Sequence, residues 1–241
     1  MKHTILITGV GKRIGYALAK HFIAQGHQVI GTFRTHYPSI DELAELGADL
    51  YQCDLTLTEE INDMLQRIVA QYSELNCIIH NASDWHNDKT SNEVSSADIM
   101  TRMMNIHVSA PYQINLALAP LLTASAKQQV GASNIIHITD YVAEKGSKKH
   151  IAYAASKAGL HNLTLSFAAK LAPEVKVNSI APAMILFNEG DDDDYKVKAL
   201  AKAILPVEAG NNEMISLVDY LTSSHYVTGR SYAVDGGRQL K

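Results

Sequence analysis

The sequence predicts one α/β domain over residues 1–241, a doubly wound parallel sheet of about seven strands with helices on both faces. Three observations predict it. Short β-branched runs alternate with longer segments whose apolar residues recur at helical spacing. Several of those runs are continuously apolar, which marks strands covered on both faces. A glycine-rich turn stands directly behind the first of them. Such a series needs crossover connections, which are right-handed and leave the strands parallel. No Pro/Gly/Ser-rich linker, low-complexity tract or internal repeat divides the chain.

Taken in order, the candidate strands are Thr4 to Ile7, Gln28 to Phe33, Asp49 to Gln52, Cys77 to His80, Asn134 to Thr139, Val175 to Ile180 and a late Ser231 to Val234. Ile5-Leu6-Ile7, Ile78-Ile79 and Ile135-Ile136 supply the continuous apolar character. Between the strands, Ile14 to Gln25, Glu59 to Gln71, Ile99 to Leu122 and Tyr153 to Leu171 read as helices, and Tyr195 to Ala203 also looks helical. The acidic run Asp191 to Asp194 reads as solvated chain or a helix start, since carboxylates favour helix N-termini, with a part in a cover over the substrate as the alternative.

Apolar residues at 46%, charged residues at 19% and six prolines are ordinary for a globular chain long enough to bury a large core. A net charge of −4 without any Lys/Arg-rich run argues against nucleic acid or anionic membrane as a partner, so any anion site is local. Cys53 and Cys77 lie at apolar runs with no metal-ligand spacing, and are expected as buried free thiols of a reducing compartment, with no metal bound. Met1-Lys2-His3 leads straight into a strand, leaving no room for a signal peptide. No apolar stretch approaches the roughly 20 residues of a spanning helix, so a cytoplasmic location is expected.

After the first strand comes Thr8-Gly9-Val10-Gly11-Lys12-Arg13-Ile14-Gly15, opening a helix. Glycines there let backbone N–H groups and a helix N-terminus approach a pyrophosphate. At the end of the second strand an acid would bond a ribose 2′-OH and a base would accept a 2′-phosphate; the chain reads Phe33-Arg34-Thr35-His36, with no acid before Asp41. NADPH is therefore expected as cofactor, with Arg34 on its 2′-phosphate, helped by Lys12 or Arg13. Further on, Tyr153-Ala-Ala-Ser-Lys157 puts two side chains one helical turn apart on one face. A lysine ammonium beside a phenol lowers its pKa and makes it a better acid near neutrality.

These segments, with Lys176-Val-Asn-Ser-Ile-Ala-Pro182, Val227-Thr-Gly and Val234-Asp-Gly-Gly237, resemble the short-chain dehydrogenases and reductases along essentially the whole chain. The resemblance implies a Rossmann-like fold and a cofactor site at Gly9, Lys12, Arg13, Ile14, Arg34, Asp54, Leu55, Asn81, Ala82, Tyr153, Lys157 and Pro182. The family's catalytic serine, thirteen residues before the tyrosine, is here Asp140. A carboxylate opposes ionisation of Tyr153 unless it is protonated or hydrogen-bonded, which suits a basic heterocycle better than a ketone. Asp140 together with Arg13 in place of the middle loop glycine resembles the pteridine reductase branch, which implies catalysis by Asp140, Tyr153 and Lys157.

That branch also places an aromatic residue two beyond the Asn81-Ala82-Ser83 turn for the pterin ring to stack on, here Trp85, the only tryptophan. The implied substrate site is Ser83, Trp85, Asp140, Tyr153, Met184 and Leu186, the last two in a loop, Met184 to Asp194, expected to close with Phe187 over the pterin. Arg34-Thr35-His36-Tyr37-Pro38, Ile136 to Val142 and Ile185 to Glu189 resemble the bacterial dihydromonapterin reductases, which also show some dihydrofolate reductase activity. The expected reaction is reduction of a 7,8-dihydropterin, with hydride to C6 and a proton to N5. The alternatives are a carbonyl or 3-oxoacyl reductase, which Asp140 counts against, and a catalytically inactive nucleotide-binding sensor, which Tyr153 and Lys157 count against. His107 aligns with the family's helix asparagine and its role stays open. A homo-oligomer, dimer or tetramer, is expected through the two long helices.

Overall fold

The computed structural model describes residues 2–90, 94–128 and 131–241. Its strands are β1 (Thr4–Thr8), β2 (Gln28–Phe33), β3 (Asp49–Gln52), β4 (Cys77–His80), β5 (Ser133–Ile138), β6 (Val175–Pro182) and β7 (Ser231–Val234). All pair in parallel in one sheet, in the order β3-β2-β1-β4-β5-β6-β7. The helices are α1 (Arg13–Ala24), α2 (Pro38–Glu45), α3 (Thr58–Gln71), α4 (Ser96–Met104), α5 (Ala110–Ser125), the short α6 (Val142–Lys145), α7 (Ile151–Leu171), α8 (Asp193–Leu200) and α9 (Asn211–Ser223).

The apolar runs divide between the two faces of the sheet, as successive side chains of a strand must. Leu6, Ile30, Ile78, Ile135 and Val177 join the core formed with Ile61, Met64 and Ile68 of α3, Ile114 and Leu118 of α5 and Phe167 of α7. Ile5, Ile7, Val29, Ile79, Ile136 and Ile180 point the other way, onto Leu18 and Phe22 of α1 and Met214, Val218 and Leu221 of α9. Ile5-Leu6-Ile7 thus feeds both cores, which is why it shows no polar alternation. Burying one such side chain contributes about 1.5–3 kcal/mol.

The expected helix from Ile99 to Leu122 is broken. Ser95 and Asp98 form a capping box at the start of α4, a π-helical turn spans Asn105–Ser109, and α5 begins only at Ala110. Pro111 has no N–H for the His107 carbonyl, and the wider turn accommodates the missing bond. Helices α2 and α9 went unread in the sequence, although Met214, Val218 and Leu221 are spaced as a helical stripe. The acidic run is a helix start: Asp192 caps α8 by accepting from the Tyr195 N–H at 2.6 Å, with Asp193 and Asp194 in the first turn. Cys53 and Cys77 are buried free thiols, and burial pushes both up to about 12.

Candidate active site

A cavity of about 520 Å³ opens along the carboxyl ends of the strands, spanning the point between β1 and β4 where the strand order reverses. Steric necessity shapes one end of it. Gly9 has φ +75°, and a Cβ there would lie 2.8 Å from the Ala82 Cα; at Gly15 a Cβ would lie 2.1 Å from the Gly9 carbonyl oxygen. The turn after β1 is therefore pressed against the turn after β4. Thr8 Oγ1 accepts from the N–H groups of Asn81 and Ala82 at 3.0 Å each, and the Asn81 amide donates to the carbonyls of Thr8 and Gly9 at 3.0 and 3.1 Å. No side chain caps the first turn of α1, which leaves its N–H groups directed at the cavity for an anion.

Arg13, standing where a glycine is usual, takes the left-handed conformation with φ 55°. Backbone of that kind costs about 1–3 kcal/mol and persists where its surroundings hold it. Here the guanidinium reaches the segment after β6, donating to the Asn188 amide oxygen at 2.5 Å and the Leu186 carbonyl at 2.8 Å. Lys12 turns the other way, its Nζ 5.3 Å from the centre of the Tyr37 ring. Of the two basic residues expected as alternative helpers of Arg34, Lys12 is the one on the Arg34 side, whereas Arg13 reaches the segment after β6.

The other end is built from buried side chains. Tyr153, in the first turn of α7, donates its hydroxyl to Asp140 Oδ2 at 2.9 Å, while Asp140 Oδ1 accepts from the Val142 N–H at 3.0 Å. One turn on, Lys157 is fully buried and donates to the Ile138 carbonyl at 2.9 Å. Burial, with Asp140 beside it, raises Tyr153 well above the usual phenol range; burial likewise raises Asp140, and it lowers Lys157 to about 8. The expectation that Lys157 depresses the Tyr153 pKa is thus reversed. Desolvation comes first and the Asp140 carboxylate second, while burial lowers Lys157 itself to about 8.

His107 occupies the π-helical turn and is buried. Its Nε2 lies 2.8 Å from Ser83 Oγ and its Nδ1 2.9 Å from Ser156 Oγ, which itself donates to the Tyr153 carbonyl at 2.8 Å. One tautomer satisfies all three: Nδ1–H donates to Ser156, and Ser83 donates to Nε2. Burial, then Lys157, keep the ring neutral. A second buried chain, His80 to Asn115 to His137 to Thr164, lies below the site, with spacings of 2.7, 3.2 and 2.9 Å.

At the mouth, Trp85 is 60% exposed, and its ring centre is 4.4 Å from that of His150. The segment carrying it is tied to α7. Asp88 accepts from the N–H groups of Ile151 and Ala152 at 2.7 and 3.4 Å, taking the place of the side-chain cap that His150 does not provide.

The cavity gathers Gly9, Lys12, Arg13, Ile14, Arg34, Asp54, Leu55, Asn81, Ala82, Ser83, Trp85, Asp140, Tyr153, Lys157 and Pro182 in its walls. Met184 and Leu186, expected to cover a bound pterin, are not among the lining residues of the cavity in this structure. Leu186 packs on the core beside α9, and Ile185 between them is buried, its carbonyl accepting from the Gly210 N–H at 2.9 Å. Sequence reading missed Tyr37, Asp84 and Ile106 as wall residues; Asp84 directly follows the Asn81-Ala82-Ser83 turn, a signal that was within reach.

A sequence profile of the family described as Enoyl-(Acyl carrier protein) reductase matches residues 9–239. The chain is 54% identical over 237 residues to dihydromonapterin reductase of Klebsiella pneumoniae subsp. pneumoniae, covering 98% of this chain and 97% of the relative. Dihydromonapterin reductase of Escherichia coli strain K12 is 52% identical over the same share of both chains. Among solved structures, an NADPH-dependent 3-quinuclidinone reductase from Rhodotorula rubra superposes with a TM-score of 0.85 at 23% identity, covering 100% of this chain and 93% of that one. An apo enzyme from Clostridium thermocellum superposes with a TM-score of 0.84 at 21% identity, covering 100% and 94%. These two likenesses speak to the fold.

Proposed function

The chain belongs to the short-chain dehydrogenase/reductase family, and from that premise we propose that it is an NADPH-dependent oxidoreductase that reduces a 7,8-dihydropterin, dihydromonapterin to tetrahydromonapterin, with dihydrofolate as a side substrate. The observation that carries the reading is the Tyr153–Asp140 hydrogen bond in a cavity with Trp85 at its mouth, in a chain more than half identical to dihydromonapterin reductases. The residues fit the cofactor. Gly9 and Gly15 leave room only for backbone, the uncapped N-terminus of α1 suits a pyrophosphate, and Arg34 with Lys12 suits a 2′-phosphate. Asp54 and Leu55, in the same cavity wall, would hold the adenine end, and Asn81, Ala82 and Pro182 would border the nicotinamide end. When bound, NADPH supplies the hydride.

The chain supplies orientation and a proton. Trp85 offers a flat face to the pterin ring, and Ser83 offers it a hydroxyl. Tyr153 Oη holds the proton destined for N5, and Asp140 orients that hydroxyl and meets the basic heterocycle. The high pKa of the pair keeps the proton in place until the ring nitrogen becomes basic. Lys157 balances the charge left on Tyr153. A carbonyl substrate would gain nothing from Asp140, which disfavours that alternative.

Steady-state NADPH oxidation with dihydromonapterin, dihydrofolate and a panel of ketones and 3-oxoacyl substrates tests the reading. Turnover is expected with the pterins, and ketone turnover alone would overturn it. Among the described residues no helix is long and apolar enough to cross a membrane. The two buried thiols suit a reducing cytoplasm. Exposed Tyr112 and Leu116 on α5 and Leu165 on α7 support a homo-oligomer, dimer or tetramer, closing over those helices; a monomer by light scattering at micromolar concentration would refute it.

A further inference from the structure

We propose that Arg102, which belongs to no motif, sets the preference for a 2′-phosphorylated cofactor by holding the charge of Asp84 when Arg34 leaves it. This rests on the reading of Arg34 as the 2′-phosphate ligand. One carboxylate oxygen, Asp84 Oδ2, accepts from Arg34 Nη1 at 3.1 Å, from Arg102 Nε at 2.7 Å and from Arg102 Nη2. Its other oxygen accepts from the Trp85 N–H at 3.0 Å. Burial disfavours the charge on Asp84, but its bonds to Arg102 and Arg34 outweigh burial and keep it ionised.

The two arginines are not equivalent. Arg34 is attached through one N–H and stands in the cavity wall, whereas Arg102, equally exposed, is attached through two and is carried by α4 outside that wall. A 2′-phosphate arriving at Arg34 competes only for the weaker of the two attachments. Once Arg34 turns to it, Asp84 is a bare negative charge beside the phosphate unless Arg102 remains. Without Arg102, Asp84 both repels the phosphate and keeps Arg34 for itself. Neither effect touches NADH, which has no such phosphate.

Isothermal titration calorimetry with NADPH and with NADH, on the full chain at fixed ionic strength, reads this directly. Arg102→Ala is expected to weaken NADPH about fivefold, the upper end for an exposed charge pair, and to leave NADH unchanged. Arg102→Gln, which removes the charge and keeps the helix-forming stem, should do the same. Adding Asp84→Asn to Arg102→Ala should restore NADPH binding. Weakening of both cofactors or of neither, or a failure of Asp84→Asn to restore, overturns the proposal. Arg34→Ala separates the premise from the inference. If that variant loses nothing selectively for NADPH, the role of Arg34 itself fails; if it does lose selectively while Arg102→Ala is silent, only the part given to Arg102 falls.

Discussion

Around Gly9 the cavity wall is backbone, fixed by close approach to Ala82 and by neutral hydrogen bonds that Thr8 accepts from Asn81 and Ala82; around Tyr153 it is buried ionisable side chains. The first end tolerates no added atom at Gly9 or Gly15, and the bonds that fix it are between neutral groups. The second tolerates changes of side chain better, but its chemistry and part of its stability follow protonation. Rigidity at one end and strained charge at the other is a division of labour: the cofactor needs a mould, and the substrate needs a proton held against its natural tendency.

Tyr153→Phe should sharpen the contrast most, lowering turnover about 10²- to 10⁴-fold while NADPH binding by calorimetry is unchanged. Wild-type turnover in that variant would show that another group is the acid. Lys157→Met probes the cost of the charged end. The buried amine titrates at about 8, against an ordinary value of 10.5. Between those values the unfolded chain binds more protons, so stability rises with pH across the window, and the penalty is fully present below about pH 8. Lys157→Met is therefore expected to stabilise the ligand-free protein at pH 7 by up to about 3 kcal/mol in urea titrations, a gain that disappears near pH 10.5. A variant less stable than wild type at pH 7 would mean that the bond to the Ile138 carbonyl outweighs the burial of the charge.

Arg34→Ala tests the mould from its polar edge. The Michaelis constant for NADPH should rise about tenfold, the lower end for a charge-assisted bond, with NADH almost untouched. Equal loss for both would remove Arg34 from the phosphate. The smallest effect is expected in the segment after β6, where Arg13 joins the two ends by its bonds to Leu186 and Asn188. Amide exchange from Ile185 to Glu189 should slow when NADPH and a pterin inhibitor are both present. Identical rates in every state would make this segment a fixed wall without a covering role.

The same contrast explains what was legible beforehand. Strands β2, β3, β4 and β7 have the bounds read from the sequence; for β2 and β4 the reason is that a strand buried on both faces can hide little in its composition, whereas the edge strands β3 and β7 are marked by the turns that flank them. Gly9, Arg34, Asp140, Tyr153 and Lys157 were within reach because their spacing behind strand ends is itself the constraint. The π-helical turn at Asn105–Ser109 was hidden, since an apolar period of 3.6 continues on both sides of it and only Pro111 hints at the break. The direction of the Tyr153 shift was hidden for a different reason. Sequence spacing reports which charges are neighbours, but desolvation depends on everything that surrounds them.

Asp88 accepts two N–H groups of a helix that begins 63 positions later in the chain. A helix with its own cap can be shortened, moved or transplanted as a module; α7 cannot, because its first turn is completed by a residue three positions beyond Trp85. Trp85 and Tyr153 are thereby built to a common gauge. An engineer who enlarges the pocket mouth by inserting residues between Trp85 and Asp88 would alter the setting of Tyr153 without touching it, whereas insertions beyond Asp88 would leave that gauge intact.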